Sequence, residues 1–233
     1  MRNRIVHGWK SNQPSRSGGL KAVMLTGLLG GLLLSSSMGC VRLVANMLYA
    51  IKGNDRPAEY DGFEEQRVAV VCGTDKGLSN DATTALMTGY VHMALNTNIK
   101  KIELVRPEEI EQWLDVHGSI ESDYVEIGKA VKADKLLAID ISNLRVKDGQ
   151  TLFRGQCDIG VTVYDLSAKG AIVYRKQIPE YTFPKIGGPT IADTTEPKFR
   201  NQFLKIIANK VAGLFYPVDP NTDYALDATA NSF

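Results

Sequence analysis

KLLAIDISNLRVKDGQTLFRGQCDIGVTVY, residues 135–164, decides the fold. Its first half opens as a hydrophobic run with β-branched residues. Its second half alternates. Phe153, Gly155, Cys157, Ile159, Val161 and Val163 fall on one side, and Arg154, Gln156, Asp158 and Thr162 on the other. A period of two with one apolar side is the pattern of a half-buried strand. Between the halves stands Asp148-Gly149, a pair that readily adopts the positive φ angles of a tight hairpin turn. The stretch therefore predicts two long antiparallel strands, over 135–146 and 153–164.

Working outward, LSAKG turns the chain into AIVYRKQI, 171–178, a third strand of the same meander. N-terminal to the hairpin, VAVVC (68–72) is a continuous apolar run, as expected of a strand covered on both faces. Asp81 can cap a following helix with Ala85, Leu86, Tyr90, Met93 and Ala94 on its apolar face. KIELV (101–105) is another strand. Strand, helix and strand in so short a span predict a parallel, right-handed βαβ unit. Pro107 opens a short helix with Ile110, Trp113 and Leu114 inward, and Asp123 opens another with Tyr124, Ile127, Gly128 and Val131 inward. A final helix begins at Thr194, Thr195 and Pro197 and buries Phe199, Phe203, Ile206, Ile207, Val211 and Leu214. The fold class is α/β (α+β): one domain, residues 66–217, with a mixed sheet of about five strands that begins as βαβ, ends as an antiparallel meander and is covered by helices.

The first 39 residues are of another kind. Arg2, Arg4, Lys10, Arg16 and Lys21 are unopposed by any acid, residues 22–34 are apolar, and SSSMG leads to Cys40. A basic start, a short apolar run and small residues make a secretory signal peptide, here 1–39. The apolar run of about 13 residues is roughly 20 Å of helix, short of a ~30 Å hydrocarbon core. SSSMGC resembles the lipobox of bacterial lipoproteins, with Ser37 where leucine is usual; that resemblance implies a lipid attached at Cys40. Cleavage without lipid, and an uncleaved anchor over Leu20–Ile51, remain open alternatives. Residues 40–65 read as a tether and 218–233 as a disordered tail. The whole chain has 27 basic and 26 acidic residues, and without 1–39 the balance is 22 against 26, a net charge of −4. That leaves no basic field for a polyanion and argues against nucleic acid as a partner.

Cys72 and Cys157 lie in strand-like segments, and the preferred reading is two buried thiols, a disulfide being the alternative. No cluster specifies a reaction: HExxH, CxxC, an EF-hand loop, GxxxxGK[ST] and a serine elbow are all absent. No catalytic residue, metal or cofactor is expected. Cys72 with His92 is the one conceivable nucleophile–base pair, and a helix histidine on a partly solvated face is the commoner arrangement. The better site candidate is the loop GTDKGLSND (73–81), which follows a parallel strand and precedes a helix N-terminus, where ligands and anions collect. Gly73, Thr74, Lys76 and Ser79 are its candidate contacts, although Asp75 and Asp81 oppose an anion.

QRVAVVC, KKIELVRPEEIEQWL, IGKAVKADKLLAIDI and GQCDIGVTVYDL together resemble the bacterial envelope lipoproteins with a TolB amino-terminal-type αβ domain. The same domain type occurs in the curli-secretion channel subunit and in the lipoprotein activator of penicillin-binding proteins. GKAVKADKLLAIDI, 128–141, carries most of this likeness, which covers about 67–215. It implies a membrane-tethered, non-enzymatic protein-binding or assembly module, held in the cell envelope outside the cytoplasm. Its partner would be an envelope protein or a second copy of the chain. The alternative is a periplasmic binder of a small ligand or cell-wall fragment at the 73–81 loop. Two departures are visible. Arg154, Gln156 and Asp158 on the outward face would not tolerate lipid, which excludes a pore-lining role. A tether of about 25 residues reaches only about 85 Å.

Overall fold

The computed structural model describes residues 55–78, 81–118 and 123–221. The expected signal peptide, Cys40 and residues 41–54 of the tether lie outside the described residues, as do Ser79 and the tail from 222 onward. The elements are β1 (Arg67–Thr74), α1 (Ala82–Asn98), β2 (Glu103–Leu104), α2 (Pro107–His117), α3 (Tyr124–Ala130), β3 (Lys135–Asp148), β4 (Leu152–Asp165), β5 (Ala171–Phe183) and α4 (Glu196–Ala212). The five strands form one sheet in the order β2-β1-β3-β4-β5. β1 is parallel to both β2 and β3, whereas β3, β4 and β5 are antiparallel in sequence. This is the expected mixed sheet, and β3 and β4 each run 14 residues.

One face of the sheet carries the main core. Val68, Val70, Cys72, Leu137, Ile139, Ile141, Cys157, Ile159, Val161 and Val163 meet α1 and α4 there. Phe199, Phe203, Leu204 and Ile207 of α4 are fully buried against it. Burying a side chain of this size contributes roughly 1.5–3 kcal/mol, so α4 is held chiefly by its apolar stripe. Gly155 lets α4 come close. A Cβ placed there would stand 2.4–2.6 Å from three ring carbons of Phe203. The opposite face is smaller: Ala69, Val71, Leu136 and Ala138 pack against Ile110, Ile127 and Val131 of α2, α3 and the turn that follows.

The inward face of α1 differs from the expectation. Thr84, Met87, Val91, Ala94 and Leu95 are buried, while Leu86 and Met93 are 38% and 59% exposed. The helix is apolar nearly all round, so its periodicity does not choose a face, and packing against β1 and α4 does. Its cap is as expected: Asp81 Oδ1 accepts from the Thr83 and Thr84 N–H groups at 2.8 and 2.9 Å, and Thr84 Oγ1 accepts from the Asp81 N–H.

Ordered packing also begins before Gln66, inside the segment expected to be tether. Arg56 and Val218 exchange backbone hydrogen bonds of 2.8 and 3.0 Å, and Glu59 N–H donates to the Leu214 carbonyl. Phe63 is fully buried, tilted against Phe215 with ring centroids 4.7 Å apart, with Tyr60 and Tyr174 around them. Two aromatic rings in a polar, Gly- and Pro-containing segment supply enough apolar surface to fix it to the domain.

Candidate functional site

The loop after β1 is a closed turn. Thr74 N–H donates to the Gly77 carbonyl (3.1 Å) and Gly77 N–H to the Thr74 carbonyl (2.8 Å), while Lys76 N–H reaches Thr74 Oγ1 at 3.3 Å. Three of the amides that could cradle an anion are therefore engaged inside the turn. The Asp81 carboxylate occupies the first N–H groups of α1. Gly73 is buried beside the Tyr124 hydroxyl and the Asp140 carboxylate, which share a hydrogen bond. Asp75 is spent on the Asn143 N–H at 2.9 Å. Lys76 alone of the candidate contacts projects as an exposed cation, with Thr74 half-buried beside it.

Between α1 and α2 lies a groove lined by Cys72, Thr84, Thr88, Gly89, Ile110 and Leu114, about 100 Å³ in volume. That is the room of about three waters, against the 300 Å³ or more typical of metabolite pockets. Cys72 at its floor is 6% exposed, and burial pushes its thiol well above the ordinary range. The Sγ faces the Gly73 carbonyl at 3.9 Å. His92 is half-buried on α1, its buried Nε2 has no hydrogen-bond partner among the described residues, and burial lowers its basicity. A thiol that resists ionisation and a histidine of weakened basicity do not make an activated nucleophile–base pair. His117 stacks on Trp113 at 4.4 Å and bonds its carbonyl, a helix-end contact.

The two thiols are free. β3 separates β1 from β4, so Cys72 and Cys157 stand at least two strand spacings apart, about 9.5 Å. A disulfide needs Cα atoms within about 7 Å. Burial pushes the Cys157 thiol up to about 12. Among the described residues no group of three or more His, Cys, Asp or Glu side chains could hold a metal ion, and no helix is long and apolar enough to cross a membrane.

A further open feature is a sheet face. α2 and α3 cover β1 and the start of β3, and beyond them the register sets out rows of mostly polar side chains. Ala138, Thr162 and Arg175 form one row across β3, β4 and β5, buried at Ala138 and Thr162 and open only at Arg175, and Asp140, Gly160 and Gln177 form the next. Further along, Asp158 accepts from Asn143 Nδ2 at 2.6 Å and from the Glu180 N–H at 2.7 Å, and these bonds hold its carboxyl below the ordinary range. Arg145 and Gln156 follow, joined at 3.0 Å. The outward side of 153–164 expected from the alternation is this surface.

Among the described residues β5 borders it as the last strand of the sheet. A bulge at Pro179 and Glu180 interrupts one end of that edge and a second bulge at Val173 the other, leaving the regular run Tyr174–Ile178. Ile172 and Val173, at the second bulge, are 46% and 43% exposed. Unpaired strand groups with apolar side chains beside them form a template for protein contact, tempered here by Arg175 and Lys176. Sequence reading located the strand but not the edge, because strand order across the sheet is set by long-range pairing.

No family model matches this chain, and no curated protein matches it. Solved structures similar to it include the PelC dodecamer from Paraburkholderia phytofirmans, 13% identical, covering 70% of this chain and 96% of that one, with a TM-score of 0.41. Lipoprotein GNA1162 from Neisseria meningitidis is 12% identical over 63% and 98% of the two chains, with a TM-score of 0.40. The LpoB C-terminal domain from Salmonella enterica is 18% identical over 59% and 91%, with a TM-score of 0.34. Bacterial lipoproteins are thus among the structures this chain is similar to, the group its sequence resembles. At such scores the partners and activities of those proteins stay with them.

Proposed function

We propose that this chain is a lipid-tethered, non-enzymatic envelope protein that works by protein contact. In this reading residues 1–39 are removed, Cys40 carries the lipid, and the folded domain stands outside the cytoplasm on a short leash. The observation that supports contact as its mode of action is the uncovered β3–β4–β5 face ending at the β5 edge, with Ile172 and Val173 exposed. A photo-crosslinking residue at Val173 tests it in intact envelopes, with Lys198 on the exposed side of α4 as control. A discrete crosslinked species from position 173 and none from 198 is expected. No species from 173, or the same species from both, would overturn the reading.

A second reading keeps the loop after β1, with Gly73, Thr74, Lys76 and Ser79, as a small-ligand site. The exposed Lys76 favours it, against the closed Thr74–Gly77 turn, which engages the amides beside it. Cell-wall fragments that raise the unfolding temperature, with the rise lost in Lys76→Ala, would support it over the first.

A further inference from the structure

On the uncovered face the β3–β4 hairpin opens into a polar hollow of about 230 Å³, lined by Arg145, Lys147, Asp148, Arg154, Gln156 and Thr182. Two register shifts in the β3–β4 pair, one adding a residue in β3 between Ser142 and Arg145 and one adding a residue in β4 between Phe153 and Gln156, set these side chains round the hollow. Folding alone gives no reason to gather three cations round one hollow, since like charges on neighbouring strand positions destabilise a sheet. Two of the three are matched. Lys147 pairs with Glu196 at 2.8 Å. Arg154 pairs with Asp148 at 3.3 Å and donates to the Lys185 carbonyl at 2.9 Å. Its buried Nε has no partner among the described residues.

Arg145 is different. Its one hydrogen bond goes to the neutral amide oxygen of Gln156, and among the described residues no carboxylate is bound to it. Asp158, the acid that feels its charge, has already accepted bonds on both oxygens from Asn143 and Glu180. Counting Arg200, which shares Glu196, and Asp158, whose charge Arg145 feels, the cations Arg145, Lys147, Arg154 and Arg200 stand against Asp148, Asp158 and Glu196 and leave one positive charge. We propose that the hollow takes a single carboxylate, presented on a peptide, with Arg145 as its forked partner. One net charge matches a carboxylate better than a phosphate dianion, and the volume suits the end of a side chain or a chain terminus rather than a metabolite. The net charge of −4 on residues 40–233 disfavours polyanions.

The proposal rests on the contact-face reading and names what that face recognises. It is tested by following the arginine side-chain N–H resonances of the full chain during titration. The probes are an end-blocked hexapeptide with one glutamate, the same peptide with glutamine, and inorganic phosphate. The glutamate peptide should give saturable shifts at Arg145 and Arg154, with the glutamine peptide silent. Arg145→Gln should weaken binding at least tenfold and Arg145→Lys less, with both variants unfolding like the parent. Equal shifts from both peptides, tighter binding of phosphate than of the glutamate peptide, or unchanged affinity in Arg145→Gln would overturn the carboxylate site. If titration fails while the crosslink from Val173 persists, the hollow alone is refuted. If the crosslink fails while titration succeeds, the contact face is refuted.

Discussion

Replacing Gly155 by alanine probes how α4 is seated on the sheet. The new methyl would lie 2.4–2.6 Å from three ring carbons of Phe203, whereas carbon atoms rest at about 3.5–4.0 Å. The ring must retreat by about 1 Å. It has little room, being fully buried with Phe199 stacked on one side at 6.5 Å and Tyr181 at 6.3 Å. Overpacking of this kind costs about 1–3 kcal/mol. Alanine recovers about 0.5–1 kcal/mol by stiffening the unfolded strand. The net loss is therefore about 0–2.5 kcal/mol, centred near ~1.3 kcal/mol, which corresponds to a fall in Tm of roughly 3–5 °C for a domain of this size. Urea unfolding of Gly155→Ala, Phe203→Ala and the double variant measures the coupling. Phe203→Ala alone should cost about 3–5 kcal/mol, and the double variant should lose less than the sum, because the methyl then enters the space the ring left. A Gly155→Ala more stable than the parent, or additive losses, would refute the close approach of α4 as the reason for glycine at 155.

Gly128→Ala makes the opposite case. Its methyl would meet the tip of Leu166, a flexible side chain, and alanine favours helix α3, so thermal unfolding should change by less than about 1 kcal/mol. Asp165 bonds Lys135 Nζ and the Ser167 hydroxyl, which hold its carboxyl down from an ordinary 3.8 to about 2. A lowered folded pKa stabilises above the unfolded value and fades as pH falls through the folded one. Urea midpoints measured between pH 4 and pH 2 should therefore drop less steeply in Asp165→Asn than in the parent. Cys72 and Cys157 should stay inert to a thiol reagent until the protein unfolds, and rapid native labelling of either would contradict their burial.

Much of this architecture is legible in the chain because β4 alternates cleanly and Asp148-Gly149 marks the turn, so the meander follows from local pattern. The parallel start follows from VAVVC being apolar throughout. Other features depend on long-range packing. The inward face of α1 is hidden because Leu86 and Met93 are as apolar as Met87 and Leu95. Phe63 reads as tether because its neighbours in sequence are polar, whereas its neighbours in space are Phe215 and Tyr60. The loop after β1 has the composition of a ligand loop, and only the hydrogen bonds show that its amides are turned on one another. Arg145, Lys147 and Arg154 become a cluster only once one bulge in β3 and one in β4 set them round one hollow.

The claim beneath all of this is that the domain is carried to a membrane by a lipid and works there. The most direct measurement is the intact mass of the native protein extracted from membranes. A chain that begins at Cys40 and is heavier by acyl groups is the result predicted. An unmodified full-length mass would contradict it.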